Sequence, residues 1–491
     1  MKIQSKNNSM AKSAMYNMIA KFGQMAIQLV IQMVLARLIN ASDYGIVAII
    51  TVAINFLNMF ADMGLGISII QRDNIESRGL NDLFTGSLYI GLFLMCIMAI
   101  IGIPASVIYK NPVYKKLFFV SSAVALMNAL NVIPNSLLMR KKRFDLIAIR
   151  SVLVNLFAGV CAIIAAFNGW SYYALVLNYI VAALGLLLWN LYSCREYRLK
   201  FVLKIRINEI FSFMGKYSLF QFVFNVLNYF TRNLDYLIIG AKMDSGTLGY
   251  YQKAYTLNLY PNQLFTNVIS SVFHPYMRDL KTQYKKLYYK WMDITEELSI
   301  VASFVMSIMF ISSSEIITIM FGNNWGTSVG CLHWLSICVW AQMLSSTCGA
   351  VFLSIERTDQ TLKLGIINVF IILISVFCGI ATEKIEMLSL FIGLAYNLIF
   401  WLTVFVVAKT LGQSIFIFFK RVISDFVFAA IWMIIWDTLP IKINNIILSF
   451  GIKFALTILY YIVCLCITRR MKKIYNMFIK VFRSVFSRRS A

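Results

Sequence analysis

Residues 140–206 read RKKRFDLIAIRSVLVNLFAGVCAIIAAFNGWSYYALVLNYIVAALGLLLWNLYSCREYRLKFVLKIR. A cluster of four cations opens the stretch and a segment with five closes it. Between them lie two apolar runs, 146–167 and 172–194, joined by a short connection that holds no cation. A helix crosses the hydrocarbon core with about 20 predominantly apolar residues, and each run has that length. Cytoplasmic connections retain Lys and Arg. The stretch therefore reads as two membrane crossings that leave the cytoplasm and return to it.

Working outward, the same rhythm covers nearly the whole chain. Fourteen spans are predicted, at 13–38, 43–70, 82–109, 115–138, 146–167, 172–194, 210–240, 245–275, 291–321, 329–354, 362–382, 386–408, 420–439 and 446–468. The N-terminus, the even-numbered connections and the C-terminal tail hold thirty-two Lys and Arg. The odd-numbered connections hold seven: Arg37, Lys110, Lys115, Lys116, Lys242, Lys384 and Lys442. This asymmetry predicts an even number of spans and two cytoplasmic termini.

Composition excludes several function classes. The chain is 60% hydrophobic and 13% charged. Its net charge of +24 sits at connection edges and in the tail, which points to anionic lipid headgroups rather than nucleic acid. Nine cysteines and two histidines form no metal-ligand spacing, and the cysteines read as packing. No Gly-rich phosphate loop is present, which argues against an ATP-driven pump. No connection is long enough for a soluble domain, so any activity lies among the helices. No cofactor is expected.

The chain divides at basic connections into an N-terminal lobe (1–207, spans 1–6), a C-terminal lobe (208–409, spans 7–12) and spans 13–14 with a basic tail (410–491). A weak repeat relates the lobes. Lys21 and Arg37 have the spacing of Lys216 and Arg232. After an insertion of eleven residues, Tyr44, Ala48, Arg72 and Asp73 align with Tyr250, Ala254, Arg278 and Asp279. Lobes with even numbers of spans share orientation, a parallel repeat of the kind that binds substrate between its halves.

Polar residues form stripes at helical spacing. Asn17, Lys21, Gln24, Gln28 and Gln32 mark span 1, and Thr51, Asn55, Asn58 and Asp62 mark span 2. Gln221, Asn225, Asn228, Arg232 and Asp235 mark span 7. Tyr251, Tyr255, Asn258 and Asn262 mark span 8, with Lys253 beside them, and Asn128, Asn131 and Asn135 mark span 4. Such residues either bind helices together or line water. Their concentration on the first two spans of each lobe favours a hydrated cavity. The candidate substrate-binding residues are Lys21, Gln28, Gln32, Asn55, Asn58, Asn225, Asn228, Arg232, Lys253, Asn258 and Asn262. Arg232 and Asp235, at i and i+3, can form an ion pair. Alternatively, Arg232 holds an anionic headgroup, with Asp62 and Asp235 as candidates for exchanging a proton or sodium. Asp425 and Lys453 are not expected to pair, and Glu296 and Glu297 read as favourable charges at a helix start.

Residues 35–73, LARLINASDYGIVAIITVAINFLNMFADMGLGISIIQRD, and 232–254, RNLDYLIIGAKMDSGTLGYYQKA, carry a family resemblance, as does HPYMRDL from His274. The chain resembles the polysaccharide-transporter branch of the multidrug/oligosaccharidyl-lipid/polysaccharide exporter superfamily, the flippases of O-antigen, capsule and exopolysaccharide repeat units. It departs at Ala41-Ser42, where many relatives carry a proline. The resemblance implies an all-α polytopic membrane protein of two six-helix lobes plus two C-terminal helices, in the bacterial cytoplasmic (inner) membrane. It implies alternating access, with an undecaprenyl-diphosphate-linked oligosaccharide moved to the outer leaflet and no catalytic residues. The driving force is a proton or sodium gradient, or the membrane potential on a charged substrate. Expected partners are the lipid-linked oligosaccharide, membrane lipids, a polysaccharide polymerase and assembly proteins; no nucleic acid is expected. The competing readings are a cation-coupled multidrug or metabolite exporter and a membrane glycan polymerase.

Overall fold

The computed structural model describes residues 21–62, 65–71, 76–202, 216–278, 280–438 and 443–471. Most of these are helical, and none of them forms a strand. The helices are α1 (residues 21–38), α2 (Ala41–Asp62), α3 (Leu65–Gln71), α4 (Ser77–Ile108), α5 (Val113–Arg140), α6 (Phe144–Phe167), α7 (Ser171–Ser193), α8 (Lys216–Lys242) and α9 (Ser245–Arg278). They continue with α10 (Tyr284–Ile311), α11 (Ser313–Phe321), α12 (Gly326–Leu335), α13 (Ile337–Ser354), α14 (Thr358–Ile380), α15 (Ile385–Thr410), α16 (Ile415–Thr438) and α17 (Ile446–Ile467).

Among the described residues, ten helices are long and apolar enough to cross a membrane. The remaining four predicted spans coincide with α1, α8, α9 and α16, which are more polar or more charged. This is a multi-pass all-α membrane protein. Three predicted spans are each two helices. Span 2 is α2 followed by α3, span 9 is α10 and α11 meeting at Ser312, and span 10 is α12 and α13 meeting at Ser336. Asn17, at the start of the span 1 stripe, lies outside the described residues, as do Arg72, Asp73 and Asp279 of the proposed repeat.

Cross-contacts test the alternation of the connections. Lys141 pairs with Glu196, which joins the connection before α6 to the one after α7. The latter folds back on the first turns of α4: Lys200 N–H donates to Asn81 Oδ1 and Val202 N–H to Thr85 Oγ1, each at 2.9 Å. Lys281 pairs with Glu356 at 3.4 Å, joining the connections before α10 and before α14. Each contact links two cation-rich, even-numbered connections. At the cation-poor end, Ser42 and Ser245 share a hydrogen bond of 2.6 Å between the first and seventh connections.

The chain forms two compact units, one up to Gly249 and one from Tyr250. In the first, α4 and α5 lie closely side by side, α5 also meets α2 and α7, and α2 meets α8. Leu65, Ile69, Leu83, Ile133, Leu137 and Cys194 make its core at the cation-rich end. In the second, α10 packs on α13 and α16, and α13 on α15. Its core is aromatic. Trp291 stacks on Phe418 at 4.7 Å, and Trp340 meets Phe400 at 5.1 Å. A buried indole N–H needs an acceptor. Trp291 finds Thr347 Oγ1 at 2.9 Å and Trp340 finds Ser299 Oγ at 3.0 Å.

The first turns of α2 and α9 are a matched pair. Asn40 caps α2 by accepting the Asp43 N–H at 2.9 Å, and Asp244 caps α9 by accepting the Thr247 N–H at 2.9 Å. A methyl group on Gly45 would overlap Ser245 O, and one on Gly249 would overlap Ala41 O. The two backbones therefore touch through reciprocal glycines. The local repeat pairs Asn40 with Asp244 and Gly45 with Gly249, which corrects by two residues the register that set Tyr44 against Tyr250.

Candidate functional site

On α8, Asn225 and Arg232 stand two turns apart on one stripe, and both are exposed. The helix is fixed by Tyr229, whose hydroxyl donates to Val52 O of α2 at 2.6 Å. Phe56 supports this seam, with its ring 5.4 Å from that of Phe230. Asn55 lies one turn beyond Val52 and is exposed, and Arg232 lies one turn beyond Tyr229. On α1, Lys21 and Gln28 are exposed and Gln32 is half-buried. The first unit thus carries exposed polar and cationic side chains on each of α1, α2 and α8, of which α2 and α8 pack together. Arg232 makes no ion pair among the described residues. An exposed guanidinium with amide side chains nearby can bind phosphate oxygens bidentately and sugar hydroxyls singly.

The other predicted residues lie differently. Asn228 is half-buried. Asp235 is 3% exposed, against an exposed Arg232, and its Oδ1 accepts the N–H of Tyr236 at 2.9 Å. The two therefore lie on different surfaces rather than forming the i,i+3 pair. Asp62 is exposed, and its Oδ1 accepts the Gly66 N–H at 3.0 Å, which caps α3. Lys253 and Asn258 lie inside the second unit. Lys253 stands over the Phe321 ring at 5.0 Å, and Asn258 Nδ2 meets Cys338 Sγ at 3.2 Å. Asn262 is half-buried.

The α5 stripe holds helices together. Asn58 Oδ1 accepts from Asn128 at 2.9 Å, Asn131 Oδ1 from Asn190 at 2.6 Å, and Asn135 Oδ1 from Arg150 Nη2 at 2.5 Å. Each asparagine reaches a different helix, so this stripe, with the candidate Asn58, ties α5 to α2, α7 and α6.

Glu296 also departs from expectation. It is a buried member of a charge cluster, not a helix-start residue. Arg470 reaches Glu296 at 3.3 Å, Asp425 at 3.0 Å and the Arg421 carbonyl at 3.0 Å. Arg421 reaches Asp293 at 2.6 Å and Glu296 at 3.5 Å. The cluster ties the cation-rich ends of α10, α16 and α17. At the other end of α17, Lys453 pairs with Glu315 at 2.7 Å and donates to Ile311 O at 2.7 Å. Asp425 and Lys453 thus each find a different partner, as expected. Arg150, Glu315 and Arg470 were missed by the sequence reading. For Arg150 and Glu315 a signal existed, because each is ionisable within a predicted span.

A sequence family described as polysaccharide biosynthesis protein matches residues 34–330. The chain belongs to that family. Similar relatives include the teichuronic acid biosynthesis protein TuaB of Bacillus subtilis, 25% identical over 62% of each chain. The lipopolysaccharide biosynthesis protein WzxC of Escherichia coli is 21% identical over 70% of each. The succinoglycan biosynthesis transport protein ExoT of Rhizobium meliloti is 20% identical over 63% of this chain and 62% of its own. Against TuaB and ExoT, the match spans 62% of the relative's length. In fold, the chain is similar to the lipid II flippase MurJ, with TM-score 0.74 and 17% identity over 92% of this chain and 98% of that one. A multidrug resistance MATE family transporter aligns with TM-score 0.57 and 12% identity over 85% and 96%. The family places this multi-pass fold in polysaccharide biosynthesis, and the exposed polar side chains of α1, α2 and α8 are its candidate site.

Proposed function

We propose that the chain moves an undecaprenyl-diphosphate-linked oligosaccharide from the cytoplasmic to the outer leaflet of the bacterial cytoplasmic membrane, with both termini cytoplasmic. The carrying observation is that Arg232, Asn225, Asn55 and Gln28 remain exposed on α8, α2 and α1, helices read as membrane spans. Arg232 binds the diphosphate, and the amides of Asn225, Asn55 and Gln28 exchange hydrogen bonds with sugar hydroxyls. Lys21 adds positive potential on α1. The reading is supported by relatives named for teichuronic acid, lipopolysaccharide and succinoglycan synthesis, and by the fold shared with a lipid II flippase.

The protein alternates access and makes no covalent bond. Its driving force is a proton or sodium gradient, with Asp62 and Asp235 as exchange sites, or the membrane potential. One charge crossing 100 mV is worth about 2.3 kcal/mol. A polysaccharide polymerase and assembly proteins receive the product.

The test is made in cells lacking this gene. Lipid-linked glycans are extracted and their leaflet is assigned by accessibility to an impermeant label. Complete repeat units trapped on the cytoplasmic face, released by the wild-type gene and not by Arg232→Ala at equal membrane abundance, are expected. Single units reaching the outer face unpolymerised would instead mark a polymerase. Absence of any accumulated glycan would favour drug or metabolite export.

A further inference from the structure

A cavity of about 560 Å³ opens beside the N-terminal end of α7, between that helix and α5. It lies on the first unit at the cation-poor end, away from the connections that bear most of the charge. Its size is within the usual range for small-molecule sites, about 300–1,000 Å³. Trp170, Tyr172 and Tyr173 line it, and Val120, Val176 and Ile180 give it apolar walls.

The backbone presents these aromatics by construction. Helix α6 ends at Phe167, and the chain turns through Gly169 at φ +78° and Ser171 at φ +43°. The Gly169 N–H donates to Ala166 O at 3.0 Å and the Trp170 N–H to Ala165 O at 3.1 Å, the bonding of a left-handed helix terminus. The Tyr173 N–H then closes on Trp170 O at 2.8 Å. Asp43 is buried and engaged with Ser171. The tightly wound loop leaves Trp170 54% exposed.

Charge supplies a second, independent observation. Odd-numbered connections are poor in cations, yet three of their seven, Lys110, Lys115 and Lys116, fall in the connection between α4 and α5 or in the first turn of α5. Lys116 precedes Val120 by four residues, so it stands one turn above the cavity wall on the same face of α5, and it is exposed. An aromatic rim, an apolar wall continuing along the span and cations at the mouth match a lipid that bears a phosphate and a sugar.

We propose that this cavity is an outer-leaflet product site for the sugar-diphosphate end of a translocated isoprenoid lipid. It rests on the function proposed above and adds a second station, separate from the face around Arg232. Aromatic planes cover the C–H faces of the sugar, and the tyrosine hydroxyls exchange hydrogen bonds with its hydroxyl groups. Lys116 neutralises the diphosphate, and the isoprenoid chain lies along Val120, Val176 and Ile180.

The experiment places a photoreactive benzoylphenylalanine at Val120, which is 40% exposed, in the full chain. The protein is reconstituted in nanodiscs with undecaprenyl diphosphate bearing N-acetylglucosamine, bare undecaprenyl diphosphate or phosphatidylglycerol. At equal mole fraction the sugar-bearing lipid should give at least fivefold more adduct than phosphatidylglycerol. Trp170→Leu with Tyr172→Leu should remove that preference. Lys116→Gln, which alters only an exposed side chain, should lower the adducts of both diphosphates. Equal labelling by phosphatidylglycerol, or adducts indifferent to both variants, would overturn the site and leave an ordinary aromatic belt. That failure is distinct from failure of the proposed function, which is read in cells from the trapped leaflet of the glycan.

Discussion

Arg470→Ala gives the sharpest test of how the C-terminal helices are held. The Arg470 side chain is 16% exposed, while those of Glu296 and Asp425 are each 5% exposed. Its guanidinium serves three acceptors on two helices: Glu296 of α10, Asp425 of α16 and the Arg421 carbonyl of α16. Removing it leaves two carboxylates buried. Breaking a buried ion pair on one side costs about 3–5 kcal/mol. Here Arg421 still lies 3.5 Å from Glu296, and Arg470 retains some solvent contact, so the low end, about 3 kcal/mol, applies.

The assay is thermal unfolding of the purified full-length protein in detergent, followed by loss of monodisperse protein. Arg470→Ala should melt several degrees below wild type. Adding Asp425→Asn should restore part of the loss, because one uncompensated charge is then gone. The double-mutant cycle should show coupling in the 0.5–3 kcal/mol range found for contacting residues. Arg470→Lys should fall between, since one ammonium cannot replace a planar fork across three acceptors. An unchanged melting temperature for Arg470→Ala, or Asp425→Asn damaging it further, would refute the reasoning.

Three other outcomes are expected. Gly45→Ala or Gly249→Ala sets a methyl group against a backbone carbonyl, and each should cost at least the 1–3 kcal/mol typical of overpacking, read as a lower melting temperature. Asp244→Ala should cost about 1 kcal/mol as a lost helix cap, seen as faster hydrogen exchange at the start of α9. Burial pushes the Asp244 carboxyl up, but bonds from Thr247 and Gly246 outweigh that and leave it below the ordinary 3.8. Its contribution is therefore complete at neutral pH and is lost only as acidification passes through the depressed value. Asn131→Leu alone leaves the Asn190 amide without its acceptor and should destabilise, whereas Asn131→Leu with Asn190→Leu should recover most of the loss.

The spans were legible because bilayer thickness dictates the length of an apolar run. Even the polar helices α1, α8, α9 and α16 could be placed, because the side of each charged connection requires a crossing there. The breaks at Ser312 and Ser336 were not legible, since serine within an apolar run has no distinctive pattern. The polar stripes showed which helix face was special without showing what it faced. Asn128, Asn131 and Asn135 have the same spacing as Asn225, Asn228 and Arg232, yet the first set meets other helices, while Asn225 and Arg232 remain exposed. Helical periodicity is identical for a face against water and a face against amides. Pairings such as Arg470 with Glu296 join residues from distant spans, and no local pattern foretells which acid an arginine will find.

The two-ended fastening of α17 bears on how the chain is made. Glu315 enters the membrane well before Lys453 leaves the ribosome. A lysine at the centre of a crossing segment raises the free energy of insertion by about 2.5–3.5 kcal/mol, and Lys453, two turns inside α17, costs at most that, so α17 is admitted on its apolar residues. Its acid and the Ile311 carbonyl already stand in the bilayer when it is released sideways. The Lys453–Glu315 pair is therefore completed only after α17 has entered the bilayer. A nascent chain interrupted before residue 446 would keep Glu315 without its lysine, a carboxylate left in the bilayer without its cation.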